Sequence, residues 1–246
     1  MNSKKFIHSI YDNAKTLIGA LIIAVLIRSL LFQPFYIPSS SMEPTLLVGD
    51  RIFVSKFVYG YSKHSFPFSP NITEKRFFSK SPKRGDLVVF KTPADNRTDY
   101  IKRLIGMPGD TIQFVEGSIL INNKKILRKK IESKKIIRCG NFLIETNTFL
   151  ETLPNGIKHL VVYKKKGTLQ NTKIFKVPEN HYFLLGDNRD CSKDSRYLDS
   201  VGYVNSLNLV GEAKLIFFSN DTNISSLIKF WNINKSFRFE RLFSGL

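Results

Sequence analysis

Residues 16–32 form an apolar run of 17 residues that carries one charge, Arg28. A bilayer-spanning helix needs about 17–25 such residues. The run is apolar on every face, so it does not read as the one-sided helix of a soluble core. Arg28 lies close enough to the end of the run to reach a membrane interface. Lys4, Lys5 and Lys15 precede the run, with Asp12 the one acid among them. Basic residues ahead of a first span keep that end in the cytoplasm. A cleaved secretory leader is the competing reading, but its apolar core usually holds about 7–15 residues and ends at an A-x-A site. Here the exit is bulky, Gln33-Pro34-Phe35-Tyr36-Ile37-Pro38, and Ser39-Ser40-Ser41 follows. The expectation is a cytoplasmic stretch 1–15, a retained transmembrane helix over 16–33 ended by Pro34, and an outward-facing remainder.

That remainder is long enough for a packed core. The chain has 246 residues, 42% of them hydrophobic, which excludes global disorder. Its net charge of +18 suits an anionic lipid surface or a nucleic acid. A codon bias, visible in the abundance of Ile, Asn and Phe, is the plainer account of it. Two distant cysteines, Cys139 and Cys191, exclude a disulfide scaffold and a four-cysteine zinc site; whether they are free stays open. His8, His64, His159 and His181 show no HxH or HExxH spacing, which argues against a His-based metal site.

Short apolar runs broken by Gly and Pro predict strands at 86–90, 100–107, 111–115, 118–121, 181–185 and 209–218. No long amphipathic pattern follows residue 40. Residues 61–82 read as a surface loop. The charge-dense stretch 124–176 reads as a peripheral β unit. The C-terminal aromatic and basic alternation around Phe230-Trp231 and Phe237-Arg238-Phe239 suits core packing or a lipid interface.

None of the histidines sits in a Ser-His-Asp arrangement, so a nucleophile with another base is the alternative. Ser39-Ser40-Ser41-Met42-Glu43-Pro44-Thr45-Leu46 follows the apolar run. In Tyr100-Ile101-Lys102-Arg103-Leu104-Ile105 a lysine stands inside an apolar strand. Alternation places Tyr100, Lys102 and Leu104 on one face. A desolvated lysine loses its proton more readily and can deprotonate a serine. An exposed strand lysine is the commoner case. A third block, Gly186-Asp187-Asn188-Arg189-Asp190-Cys191-Ser192-Lys193-Asp194-Ser195-Arg196, concentrates charges and hydroxyls in a turn. It has too few acids and too many arginines for a calcium loop.

These three blocks, in this order behind an apolar anchor, closely resemble bacterial type I signal peptidase. Asp86-Leu87-Val88-Val89-Phe90 behind Arg84-Gly85 resembles a further block. The likeness spans about residues 10–110 and 178–220 and is weak over 124–176. It implies a mainly β fold: a catalytic β core (34–123 and 178–246), a peripheral β subdomain (124–177) and one N-terminal transmembrane helix. It implies Ser41 as nucleophile, Lys102 as general base, and Ser39 with the Ser41 backbone N–H as oxyanion donors. Ser192 would position the lysine. Asp187, Arg189, Asp194 and Arg196 would brace the site, with Arg103 against Asp187. Tyr36, Ile37, Pro38, Leu46, Tyr100 and Ile101 would line the substrate groove. The implied activity is removal of signal peptides from exported preproteins after a small-x-small motif, at the outer face of the bacterial inner membrane. No cofactor, metal or nucleic acid is implied; the partners are the signal peptide and the bilayer. Residues 197–203 are longer than the family's usual pattern after the last block, and some relatives have two spans. A self-cleaving Ser-Lys repressor would need an N-terminal helix-turn-helix where this chain has its apolar run.

Overall fold

The computed structural model of the chain describes residues 3–71, 73–140, 142–164, 167, 170–220 and 237–246. The apolar run lies in α1 (Ser3–Leu30) except for its last two residues, Leu31 and Phe32. Its segment His8–Leu30 has 23 residues, a mean hydropathy of 1.7 and no burial against the rest of the molecule. At about 1.5 Å per residue that is about 34 Å, enough for a hydrocarbon core of about 30 Å. The helix thus starts before the expected residue 16 and ends before residue 33. Pro34 does not end it. The chain leaves the helix at Leu31 and becomes an edge strand, where a proline is tolerated because one side of the ladder is unpaired.

That edge strand is β1 (Phe32–Tyr36), followed by β2 (Asp50–Ser55), β3 (Leu87–Lys91) and β4 (Asp99–Gly106). The hairpin of β5 (Thr111–Val115) and β6 (Ser118–Ile121) leads through β7 (Lys124–Lys125) into three longer strands. These are β8 (Leu127–Cys139), β9 (Phe142–Thr152) and β10 (Lys158–Lys164). The chain returns through β11 (Phe175–Lys176), β12 (His181–Leu185) and β13 (Val204–Asn205) to β14 (Leu209–Ser219) and β15 (Ser244–Gly245). The main sheet runs β1-β2-β14-β3-β4-β12-β13, with β15 on β14. Strands β11-β5-β6-β7 form a second sheet and β10-β9-β8 a third. All named pairings are antiparallel. The fold is mainly β with one N-terminal helix, as expected.

Strand β3 shows why its sequence lacks alternation. Leu87 and Val89 enter one buried cluster with Met42, Leu46 and Ile52, while Val88 and Phe90 enter another with Leu104 and Leu184. A strand covered on both faces reads as a continuous apolar run. Strand β14 pairs β3 with its first half and β2 with its second, shifting register between Leu209 and Gly211 and again after Ala213 and Ile216. It closes the sheet around the first core.

The segment 61–82 is irregular, as expected, but it is not a loose loop. Ser62, His64 and Ser65 are buried, and Arg76 binds the carbonyls of Gly60, Ser206 and Leu209. At the C-terminus, Phe230 and Trp231 lie outside the described residues. Phe237 bridges to Asn220 and stacks with Phe239, and Arg241 binds buried Asp50 at 2.6 Å. That part of the tail packs on the core.

Candidate active site

Ser41 occupies a short 3-10 turn, Ser40–Met42, just after β1. Met42 and Leu46 are fully buried and fix the turn from below. From the other side, Asn188 N–H donates to the Ser41 carbonyl at 3.1 Å, and Asn188 Nδ2 donates to the Ser40 carbonyl at 3.0 Å. The turn is therefore held by the third sequence block. Gly186 makes this approach feasible: a Cβ there would overlap Ser192 and the Ser41 carbonyl.

Lys102 lies in the middle of β4, opposite Val88 of β3, and is 4% exposed. Its Nζ is 2.7 Å from Ser41 Oγ and 3.0 Å from the Ile101 carbonyl. The amine also sits 5.3 Å from the centre of the Tyr100 ring. Burial lowers its pKa from 10.5 to about 8; Asp194 and Asp187 pull it up and Arg196 pushes it down. Ser39 Oγ is 3.4 Å from Ser41 Oγ.

The third sequence block takes part in three buried ion pairs. Arg103 makes a two-pronged bond to Asp187, at 2.8 and 2.7 Å, and Thr45 donates to the same carboxylate. Burial pushes the Asp187 carboxyl up, but Arg103, helped by His159 and Thr45, brings it below its usual value. Arg196 grips Asp194 in the same way, at 2.8 and 2.9 Å. Burial again opposes ionisation there, and Arg196 with the Gly186 N–H overcomes it. Arg189, buried with 1% exposure, binds Glu151 at 2.8 and 2.6 Å and the Tyr163 hydroxyl at 2.6 Å. Planar guanidinium–carboxylate pairing suits such dry sites.

Two sequence-derived assignments require correction. Leu46 does not line the groove: it is fully buried in the core beneath Ser41. Ser192 does not bond Lys102. The amine reaches Ser41 and the Ile101 carbonyl, while Ser192 Oγ fills the space beside Gly186, close enough to Asp194 to help lower its carboxyl.

The other positions named from sequence come together. Tyr36, Ile37, Pro38, Ser39, Ser41, Tyr100, Ile101 and Lys102 share the wall of one groove of about 420 Å³. Phe35, Asp99, Cys191 and Lys193 also line it. Cys191 is not free: it forms a disulfide with Cys139, 52 positions earlier, which ties the end of β8 to the rim of the groove.

Glu151, Tyr163, Asn188 and Asp50 were not singled out from sequence. Asp50 accepts from Leu47 N–H, Ser219 and Arg241, and so holds the loop behind Ser41. Asn188 stands within the third quoted block, next to Asp187, and that adjacency was its signal; Asp50 follows the serine block by a few positions. Glu151 and Tyr163 had none, because their partner is far away in the chain.

Residues 10–218 match the profile of the family described as signal peptidase, peptidase S26. The chain is 42% identical to a signal peptidase I of Rickettsia typhi over 91% of this chain and 89% of that one. It is 40% identical to a signal peptidase I of Rickettsia conorii, over 91% and 88%. A crystal structure of a signal peptidase I from Enterococcus faecalis V583 aligns with 54% of this chain and 97% of its own, at 26% identity and a TM-score of 0.32. With a family match that runs from within α1 to the end of β14, and relatives similar over nine-tenths of its length, the chain belongs to the signal peptidase family of serine peptidases, peptidase S26.

Proposed function

We propose that the chain is a membrane-anchored endopeptidase that removes signal peptides from exported preproteins with Ser41 and Lys102 as its catalytic dyad. The observation that carries this reading is the 2.7 Å approach of a buried lysine amine to a serine hydroxyl in a groove wall. In the neutral form, Lys102 accepts the Ser41 proton as Oγ attacks the scissile carbonyl. The Ser41 N–H and Ser39 hydroxyl stabilise the oxyanion, a contribution of about 2.7–4 kcal/mol per donor in comparable sites. The protonated lysine then gives its proton to the departing amine. Water repeats the sequence on the acyl-enzyme, again with Lys102 as base.

The extended substrate lies along strand edges. Strand β1 is an edge, and β12 pairs β4 only at Arg103–Gly106, leaving Asp99–Lys102 open on that side. Backbone pairing there binds any sequence, and selection falls to small pockets between Ile37, Pro38, Tyr100 and Ile101 that admit a small-x-small motif. The catalytic core comprises 34–123 and 178–246 around the peripheral unit 124–177. The single span keeps residues 1–15 in the cytoplasm and the core at the outer face of the inner membrane, where cleavage sites emerge. Anchoring raises the effective concentration of enzyme at that surface. The partners are the signal peptide and the bilayer, with no cofactor or nucleic acid.

The test is cleavage of a preprotein carrying an Ala-x-Ala site by wild type, Ser41→Ala and Lys102→Arg in detergent. Both variants should fold and show no turnover, since a guanidinium does not deprotonate. Substantial cleavage by either would overturn the dyad.

A further inference from the structure

Phe35 and Asp99 line the groove and also a second cavity, of about 340 Å³, where α1 gives way to β1. Arg28, in the last turn of α1, faces this cavity with Lys56, Lys91 and Arg97. Its one carboxylate, Asp99, is engaged by Lys91 at 2.8 Å. Among the described residues, Arg28, Lys56 and Arg97 have no carboxylate partner. Lys56 is 2% exposed and its ammonium meets only the Ser65 carbonyl, at 2.6 Å. Burial, with Arg28 and Lys91 nearby, holds its pKa at about 8, and Asp99, itself engaged by Lys91, offsets this only in part. A buried cation without a counter-charge is costly, and an anion in the cavity relieves that cost. The cavity's rim carries Phe68, which is fully exposed.

We propose that this cavity binds the phosphate of an anionic glycerophospholipid headgroup, with Arg28, Lys56 and Arg97 around the phosphate and the acyl chains along Phe68 and the outer face of α1. The inference rests on the reading of α1 as a membrane span. A cluster of cations at the end of a span complements the negative charge of such a headgroup, and the apolar rim distinguishes a lipid from a free ion. Because the cavity shares Phe35 and Asp99 with the groove, the headgroup sits directly behind the substrate-binding wall.

The test uses the full chain in an uncharged maltoside detergent. It is titrated with dihexanoyl phosphatidylglycerol, dihexanoyl phosphatidylcholine and inorganic phosphate, and bound probe is read by native mass spectrometry. Saturable binding of one phosphatidylglycerol, well ahead of the other two probes, is expected. Arg28→Gln with Arg97→Gln alters two exposed side chains and should weaken that binding by about tenfold or more. Equal binding of phosphatidylcholine, phosphate binding as tight as phosphatidylglycerol, or an unaffected double variant would each overturn the site. Flotation of the same chain with vesicles checks the span separately. Failure to float sinks the membrane reading, and flotation without a phosphatidylglycerol preference in the titration sinks only the headgroup site.

Discussion

A lysine serves as a base near neutral pH only where its charge is disfavoured, and the surroundings of Lys102 do that. Unfolded, the side chain titrates near 10.5; folded, near 8. Between those values the unfolded chain binds the extra proton, so this group's contribution to stability rises with pH from about 8 to 10.5 and is at its most unfavourable below 8. Lys102→Met should therefore be inactive yet more stable than wild type at pH 7, by about 1–3 kcal/mol. Thermal unfolding in detergent should show the gain and its disappearance above pH 10.5; a less stable Met variant at pH 7 would contradict it. Gly186 supplies the opposite case. Gly186→Ala would drive a methyl into Ser192 and the Ser41 carbonyl, displacing the turn that carries Ser41. It should reduce kcat at least a hundredfold, since a 1 Å misplacement is enough for such a loss. Near-normal kcat would show that the turn is not held where described.

At the scale of elements, the local signals were legible and the long-range partners were not. Strands β5, β6 and β12 fall where alternation and turn residues place them, because those cues lie within a few residues. The helix ends were misjudged because Pro34 reads as a helix stop but is equally at home on an edge strand. Lys102 stood out as a charge in an apolar strand. Glu151 did not, because nothing in a charge-rich stretch marks one acid as the partner of an arginine 38 positions later. Yet Glu151→Gln leaves Arg189 buried without its carboxylate and should destabilise the protein by about 3–5 kcal/mol, read by denaturant or thermal unfolding. A neutral result would relegate the pair to the periphery. The same strands reach the groove through Cys139–Cys191. Reduction, or Cys139→Ser, should lower stability by about 2–4 kcal/mol and raise KM more than it lowers kcat, because Cys191 and Lys193 line the groove. An unchanged KM would separate the hairpin from substrate binding.

For the whole molecule, the apolar run and the three blocks carried the architecture: an N-terminal helix, a mainly β body, and a groove beside the strand that leaves the helix. The order of strands in the main sheet was not legible, since β14 joins β2 and β3 across about half the chain or more, and such non-local pairing leaves no sequence period. The proposed topology puts residues 1–15 and the catalytic core on opposite sides of the membrane. Protease added to spheroplasts should digest the core from outside, and full protection of residues beyond 60 would contradict that orientation. The most direct test of the account is the pH dependence of kcat/KM for an Ala-x-Ala preprotein. The acid limb should titrate near 8, the value to which burial lowers Lys102, with activity falling tenfold per pH unit below it. A limb near the 10.5 of a free lysine, or one that persists in Lys102→Met, would contradict the claim that Lys102 is the base for Ser41.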